Sequence, residues 1–220
     1  LQGSVISRQP RSAMGGVARA YVGMQCFWGE SAFAKLVGVV GTRVGYAGGE
    51  APAPSYRDIQ DHTEVIEVAF DTSVLSYPDI IQFFWSHHDP TEFRKKQYKS
   101  AILWTDGAQK EVAEKSLEEQ KVKYSRPLET FIVKLDKFHQ AEDYHQKYWL
   151  RSRKDVFSEL GLTDQETATS ELAAKLNAFM AGYQNWQELE RVTLKFNLNS
   201  QLTQRIKDIA LSGGDPRSCH

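Results

Sequence analysis

Residues 63–70, TEVIEVAF, are rich in β-branched and aromatic side chains and carry the two-residue periodicity of a strand, with Ile66, Val68 and Phe70 at every second position. A strand turns successive side chains to opposite faces, so Glu64, Ile66, Val68 and Phe70 share one face of a sheet. An apolar sheet face has to be covered, and the segments on either side supply strands and helices to build and cover it. Residues 19–23 and the alternating VVGTRVGYA at 39–47 read as further strands. Between them a helix is expected over about 27–37, with Phe27, Phe33, Leu36 and Val37 as its buried stripe and Gly38 as its stop. Ser76, Tyr77, Pro78 and Asp79 form a capping-box pattern with a proline in the first turn, and the helix they open buries Ile80, Ile81, Phe84 and Trp85. Residues 100–104 and 128–135 read as strands flanking a charged helix at 108–123, while the Gly/Pro-containing 48–61 reads as a loop.

The order β-α-β-β-α-β predicts an α+β fold with a ferredoxin-like core and a mixed sheet, to which an extra helix and strand are added. A further helix is expected from about residue 141 through AEDYHQKYWLRSRKDVF. Beyond Gly161 the character changes. TDQE (163–166) caps a helix carrying Leu172, Leu176, Phe179 and Met180; a polar, asparagine-containing stretch follows, then a helix at about 200–211. The expected organisation is a flexible tail at 1–17, a catalytic domain at 18–160, a helical extension at 161–212 and a flexible tip at 213–220.

Charge narrows the function. The 220 residues carry a formal net charge of −1, so neither nucleic acid nor an anionic membrane is an expected partner. No apolar run approaches the roughly 18 residues of a membrane span. Two cysteines, Cys26 and Cys219, are too few for a disulfide scaffold and favour a reducing compartment. A cytoplasmic location is expected, with a mitochondrial one as the alternative, because residues 1–20 carry Arg8, Arg11 and Arg19 and no acid. With Leu1 rather than Met at the start, the first residues also read as a processing or cloning remnant.

Two residues stand out chemically. Cys26 precedes Phe27 and Trp28 at an expected helix start, where unpaired N–H groups and the dipole favour thiolate; it reads either as a nucleophile or as an inert buried thiol. Glu64 shares its strand face with Ile66, Val68 and Phe70. Either burial keeps it protonated and able to donate a proton near neutral pH, or its headgroup reaches water from the strand's first position. His87, His88 and His139 lack HxxxH or CxxC spacing, so no metal site is expected.

Seven spaced motifs carry a resemblance: QCFWGE (25–30), GYAGG (45–49), PSYRDI (54–59), DHTEV (61–65), HDPT (88–91), QYKSAI (97–102) and AEDYHQKY (141–148). In this order they resemble the A-type peptide methionine sulfoxide reductases over about residues 18–150. The resemblance implies reduction of methionine S-sulfoxide, free or in oxidised proteins. Cys26 would attack sulfur, Phe27 and Trp28 would hold the methyl group, and Glu64 would protonate the oxygen while Tyr56 and Tyr98 hydrogen-bond to it. Tyr148 would either touch substrate or pack its helix onto the sheet; Asp143 and His145 would support the site. The product on the enzyme would be a sulfenic acid.

The chain also departs from the family's pattern. The connection at 91–96, TEFRKK, lacks the Gly/Asn/Asp-containing segment and its site-organising aspartate; Gln25 stands where glycine is usual, and His139 and Gln140 where aromatic residues are common. In place of a short glycine-rich tail, about sixty residues precede Cys219, which is flanked by the Gly-containing SGGDPRSCH. Cys219 is expected to form a disulfide with Cys26 that thioredoxin or a similar dithiol reduces; an incidental cysteine is the alternative. A monomer with no bound cofactor is expected. The rival activity is a cysteine-based peroxidase or redox sensor using Cys26 and Cys219.

Overall fold

Strand β3 (Thr63–Asp71) pairs antiparallel with β1 (Val17–Gly23) on one edge and with β2 (Val39–Ala47) on the other. A computed structural model of the chain describes residues 15–24 and 29–213. Its sheet runs β5-β4-β1-β3-β2-β6, where β4 (Ala101–Trp104) is antiparallel to β1, β5 (Phe131–Lys134) is parallel to β4, and β6 (His139–Gln140) is a two-residue edge on β2. A sheet of mixed direction with helices packed on it makes the fold α+β.

The central position of β3 buries both of its faces. Ile66, Val68 and Phe70 join Phe33, Ile80, Ile81 and Phe84 in the main core, beneath α1 (Gly29–Ala34) and α2 (Tyr77–Ser86). Burying such side chains contributes about 1.5–3 kcal/mol each, which is why this face fixes the register. On the other face Val65 packs with Tyr21, Ala47, Ala101 and Leu103 under Phe131 and Phe138. Glu67 is tolerated there because Tyr21 donates its hydroxyl proton to it (2.8 Å) and Arg43 binds both carboxylate oxygens (3.1 and 2.9 Å).

The helix expected over 27–37 is described from Gly29 and ends at Ala34, leaving Val37 exposed. At Ser76 the capping box forms as the sequence predicts, and α3 (Gly107–Lys121) starts on the Asp106 cap.

The helix expected from 141 is broken three ways: a 3-10 turn at Asp143–His145, then α4 (Tyr148–Ser152) and α5 (Lys154–Leu160). Tertiary bonds cause the break. The Gln146 side chain accepts from the Val44 N–H (3.1 Å) and donates to the Val44 carbonyl (2.8 Å), mimicking a strand neighbour. Lys147 takes a left-handed conformation (φ 56°) that no helix interior accommodates.

The helix expected after Thr163 is likewise two. α6 (Asp164–Thr169) stops at Ser170, whose hydroxyl caps α7 (Glu171–Met180). The polar stretch beyond it hides α8 (Trp186–Phe196), capped by Asn185, before α9 (Ser200–Ser212), capped by Asn199. Leu150, Val156, Leu176, Phe179, Val192 and Ile206 build a second apolar cluster among these helices.

Two buried lysines secure α1. Lys147 binds Glu30 in its first turn (Nζ–Oε1 2.6 Å) and also donates to the carbonyls of Thr42 and Ala168. Lys175 of α7 donates to the carbonyls of Ala34 (3.1 Å) and Leu36 (2.7 Å) at the other end, and pairs with Glu188 of α8 (3.0 Å).

Candidate active site

The site is built where β1 runs out. A Cβ on Gly23 would lie 2.9 Å from the Lys99 carbonyl oxygen and 3.1 Å from that of Glu64, so only glycine lets the three backbones approach this closely. At the first residue of α1, a Cβ on Gly29 would lie 2.8 Å from Ile66 Cδ1 and 3.2 Å from Met24 Cβ. The described ends on either side of 25–28 therefore meet over β3. Cys26, Phe27 and Trp28 lie outside the described residues, and so does Cys219.

Glu64 stands opposite Tyr46 in the β2–β3 register and is 4% exposed. Its side chain is thus withdrawn from water rather than exposed at the strand's first position. Its Oε1 accepts a hydrogen bond from Gln97 Nε2 at 2.9 Å. Gln97 belongs to a 3-10 turn, Lys96–Tyr98, that the Thr63 hydroxyl anchors by donating to the Lys96 carbonyl (2.8 Å). Tyr98, half-buried, closes the same turn, so Glu64 and Tyr98 come to the same end of the sheet.

Tyr56 arrives from the 48–61 loop through Glu142. One oxygen of that carboxylate accepts from the Tyr56 N–H (3.0 Å), the other from the buried Tyr46 hydroxyl (2.7 Å). Burial pushes the Glu142 carboxyl up, but the bonds from Tyr46 and Tyr56 outweigh it and hold the group below the usual range. Tyr46 is driven the other way, above its ordinary value, by burial and then by Glu142. Tyr56 is 40% exposed, and its ring centroid lies 4.4 Å from that of His145, which meets Tyr144 at 4.2 Å.

Tyr148 begins α4. It is 56% exposed, and its ring centroid lies 5.5 Å from that of Trp149. His88 has both ring nitrogens engaged, Nδ1 with the Phe84 carbonyl (2.9 Å) and Nε2 with Ser100 Oγ (2.6 Å). Among the described residues no group of three or more His, Cys, Asp or Glu side chains is placed to hold a metal ion, and no helix is long and apolar enough to cross a membrane.

Sequence reasoning passed over Tyr46, Gln97, Glu142, Gln146 and Lys147. All five sit inside motifs that were legible, GYAGG, QYKSAI and AEDYHQKY. What the motifs do not reveal is which member faces which partner.

The arrangement offers a buried carboxyl at the end of β3, beside the strand that leads to Cys26, with tyrosines brought in from two other segments. A carboxyl so placed suits proton donation to an oxygen bound above it. Comparison with known proteins gives the family the chain resembles. A family model described as peptide methionine sulfoxide reductase matches residues 18–175. A Drosophila melanogaster peptide methionine sulfoxide reductase is 44% identical over 169 residues, covering 75% of this chain and 69% of that protein. The rice (Oryza sativa subsp. japonica) peptide methionine sulfoxide reductase A5 is 36% identical over 222 residues, covering 94% of this chain and 82% of its own, so that similarity extends into the helices after Gly161. Among solved structures, methionine sulfoxide reductase A of Corynebacterium diphtheriae superposes with a TM-score of 0.55 at 30% identity, over 63% of this chain and 76% of that one.

Proposed function

The chain belongs to the peptide methionine sulfoxide reductase family and is an oxidoreductase that reduces methionine sulfoxide; within that chemistry we propose that Cys26 is the nucleophile and Glu64 the proton donor. The observation that carries the assignment is the burial of Glu64 at the strand end beside Gly23, three residues before Cys26. A carboxyl withdrawn from water favours its neutral, proton-giving form.

In the proposed reaction the Cys26 thiolate attacks the sulfoxide sulfur as Glu64 protonates the oxygen. The hydroxyl then passes from the substrate sulfur to the Cys26 sulfur, breaking both the substrate's sulfur–oxygen bond and the sulfur–sulfur bond formed by the attack, whose electron pair stays on the departing methionine sulfur. Methionine sulfur is reduced by two electrons and Cys26 is oxidised by two, to a sulfenic acid. Tyr56 and Tyr98 hydrogen-bond to the oxygen, while Phe27, Trp28 and Tyr148 receive the methyl group and the rest of the side chain. The Cys219 thiol attacks the sulfenic sulfur, water leaves, and a Cys26–Cys219 disulfide forms; thioredoxin or another dithiol returns both to thiols. The S epimer, free or in oxidised proteins, is the proposed substrate. No bound cofactor enters this sequence of steps.

The test mixes fully reduced protein, without added reductant, with S- and R-methionine sulfoxide separately. Released methionine is quantified and the cysteines are mapped by mass spectrometry. About one methionine per chain from the S epimer alone, with a Cys26–Cys219 cross-link, is expected. No methionine from the S epimer would sink the proposal.

A further inference from the structure

We propose that Gln97 is a positioning residue that decides which oxygen of Glu64 carries the transferable proton, an inference that rests on the reading of Glu64 as proton donor. A neutral carboxyl has one carbonyl oxygen and one hydroxyl, and its terminal torsion is broad and roughly two-fold, so by itself it presents either oxygen to a substrate. Gln97 Nε2 lies 2.9 Å from Glu64 Oε1, and an amide N–H can only donate. Oε1 therefore accepts, and because the carbonyl oxygen is the stronger acceptor of a neutral carboxyl, this bond favours Oε1 as the carbonyl oxygen and the proton on Oε2.

The donor is itself fixed. The Thr63 hydroxyl holds the Lys96 carbonyl at 2.8 Å, tying the residue before Gln97 to the residue before Glu64. Within the turn the Tyr98 N–H donates to the Lys95 carbonyl (2.9 Å), and the Lys96 ammonium sits over the Phe131 ring at 4.7 Å. The short connection at 91–96 thus still delivers a rigid donor to the acid, and the same turn carries Tyr98. One 3-10 turn sets both the direction of the proton and the place of a neighbouring hydroxyl.

The test compares single-turnover methionine release from the S epimer across a pH series in wild type, Gln97→Met, Glu64→Gln and the double variant. Gln97→Met keeps the side-chain length and removes the donor. It should slow release roughly tenfold at neutral pH, the loss expected for a hydrogen bond to a carboxyl. Its alkaline limb should also move to higher pH, because a donor on Oε1 favours the ionised form and its removal lets the protonated acid persist. A residue that merely packed would lower the rate without moving that limb. In the Glu64→Gln background, Gln97→Met should cost less than about twofold, since the two act as one unit. Should Gln97→Met not fold, Gln97→Asn, with its amide on a shorter stem, carries the same comparison.

An unchanged rate and limb in the Gln97 variant beside a slow Glu64→Gln would overturn the positioning role alone. Wild-type release by Glu64→Gln would overturn the proton-donor reading and this inference together.

Discussion

His88 shows how a single side chain answers to its surroundings. Its Nδ1 faces the Phe84 carbonyl, which can only accept, so Nδ1 carries the hydrogen and Nε2 accepts from the Ser100 hydroxyl, itself 2.7 Å from Thr130 Oγ1. Burial, only partly opposed by the Phe84 carbonyl and Asp89, pulls the imidazole down to about 4. The unfolded chain therefore binds more protons than the folded one between about pH 4 and the ordinary histidine value, and stability falls as pH drops through that window. From about pH 6.5 to about pH 5 the loss should be about 1.5 kcal/mol. Urea midpoints measured at the two ends should differ in wild type and differ much less in His88→Asn; an equal pH dependence in both would assign the effect to other groups.

Helix α1 has six described residues, too few to hold itself together. Its two lysine contacts differ in kind, and the difference is measurable. Glu30, 1% exposed, faces the Lys147 ammonium and its N–H and also accepts from the Thr42 hydroxyl, so Lys147→Met leaves a buried carboxylate without its counter-charge. That should cost about 3–5 kcal/mol in chemical unfolding, and Glu30→Leu added to it should restore most of the loss, because removing both charges removes the desolvation penalty. Burial already pulls the Lys147 ammonium below its usual range despite Glu30. Lys175→Met strands no charge: Glu188 keeps Arg191, which binds both its oxygens (2.8 and 2.9 Å). The Ala34 and Leu36 carbonyls lose a donor and Glu188 loses one of its two cations, for about 1–3 kcal/mol. Equal losses in the two variants would contradict this distinction.

On the scale of the molecule, the helices after Gly161 and the sheet share one structure. Ala174 and Ala178 of α7 pack on Ala34 of α1, the Ala168 carbonyl receives Lys147, and the second apolar cluster takes in Leu150 and Val156 from before Gly161. A chain ended after Gly161 should therefore lose cooperative unfolding, and its α1 amides should exchange at least about a hundredfold faster than in the full chain, as local opening is no longer suppressed. A truncated chain with the same unfolding midpoint and α1 protection would mean that these helices contribute nothing to the site's scaffold.

The local sequence determined what depends on local period and capping. Two-residue periodicity at 39–47 and 63–70 predicts β2 and β3, Ser76 with Asp79 predicts the start of α2, and the ordered motifs identify the family. Fold class and chemistry followed from these without coordinates. The breaks at Lys147 and Ser170, helix α8 beneath a polar stretch, and the use of both faces of β3 were decided by partners distant in the chain. Glu30 and Lys147 are 117 positions apart, Tyr56 and Glu142 86, Glu64 and Gln97 33. A side chain's periodicity tells which face it occupies. Which donor meets which carboxylate is set only when packing fixes one segment's register against another, and the candidate site is made of such meetings.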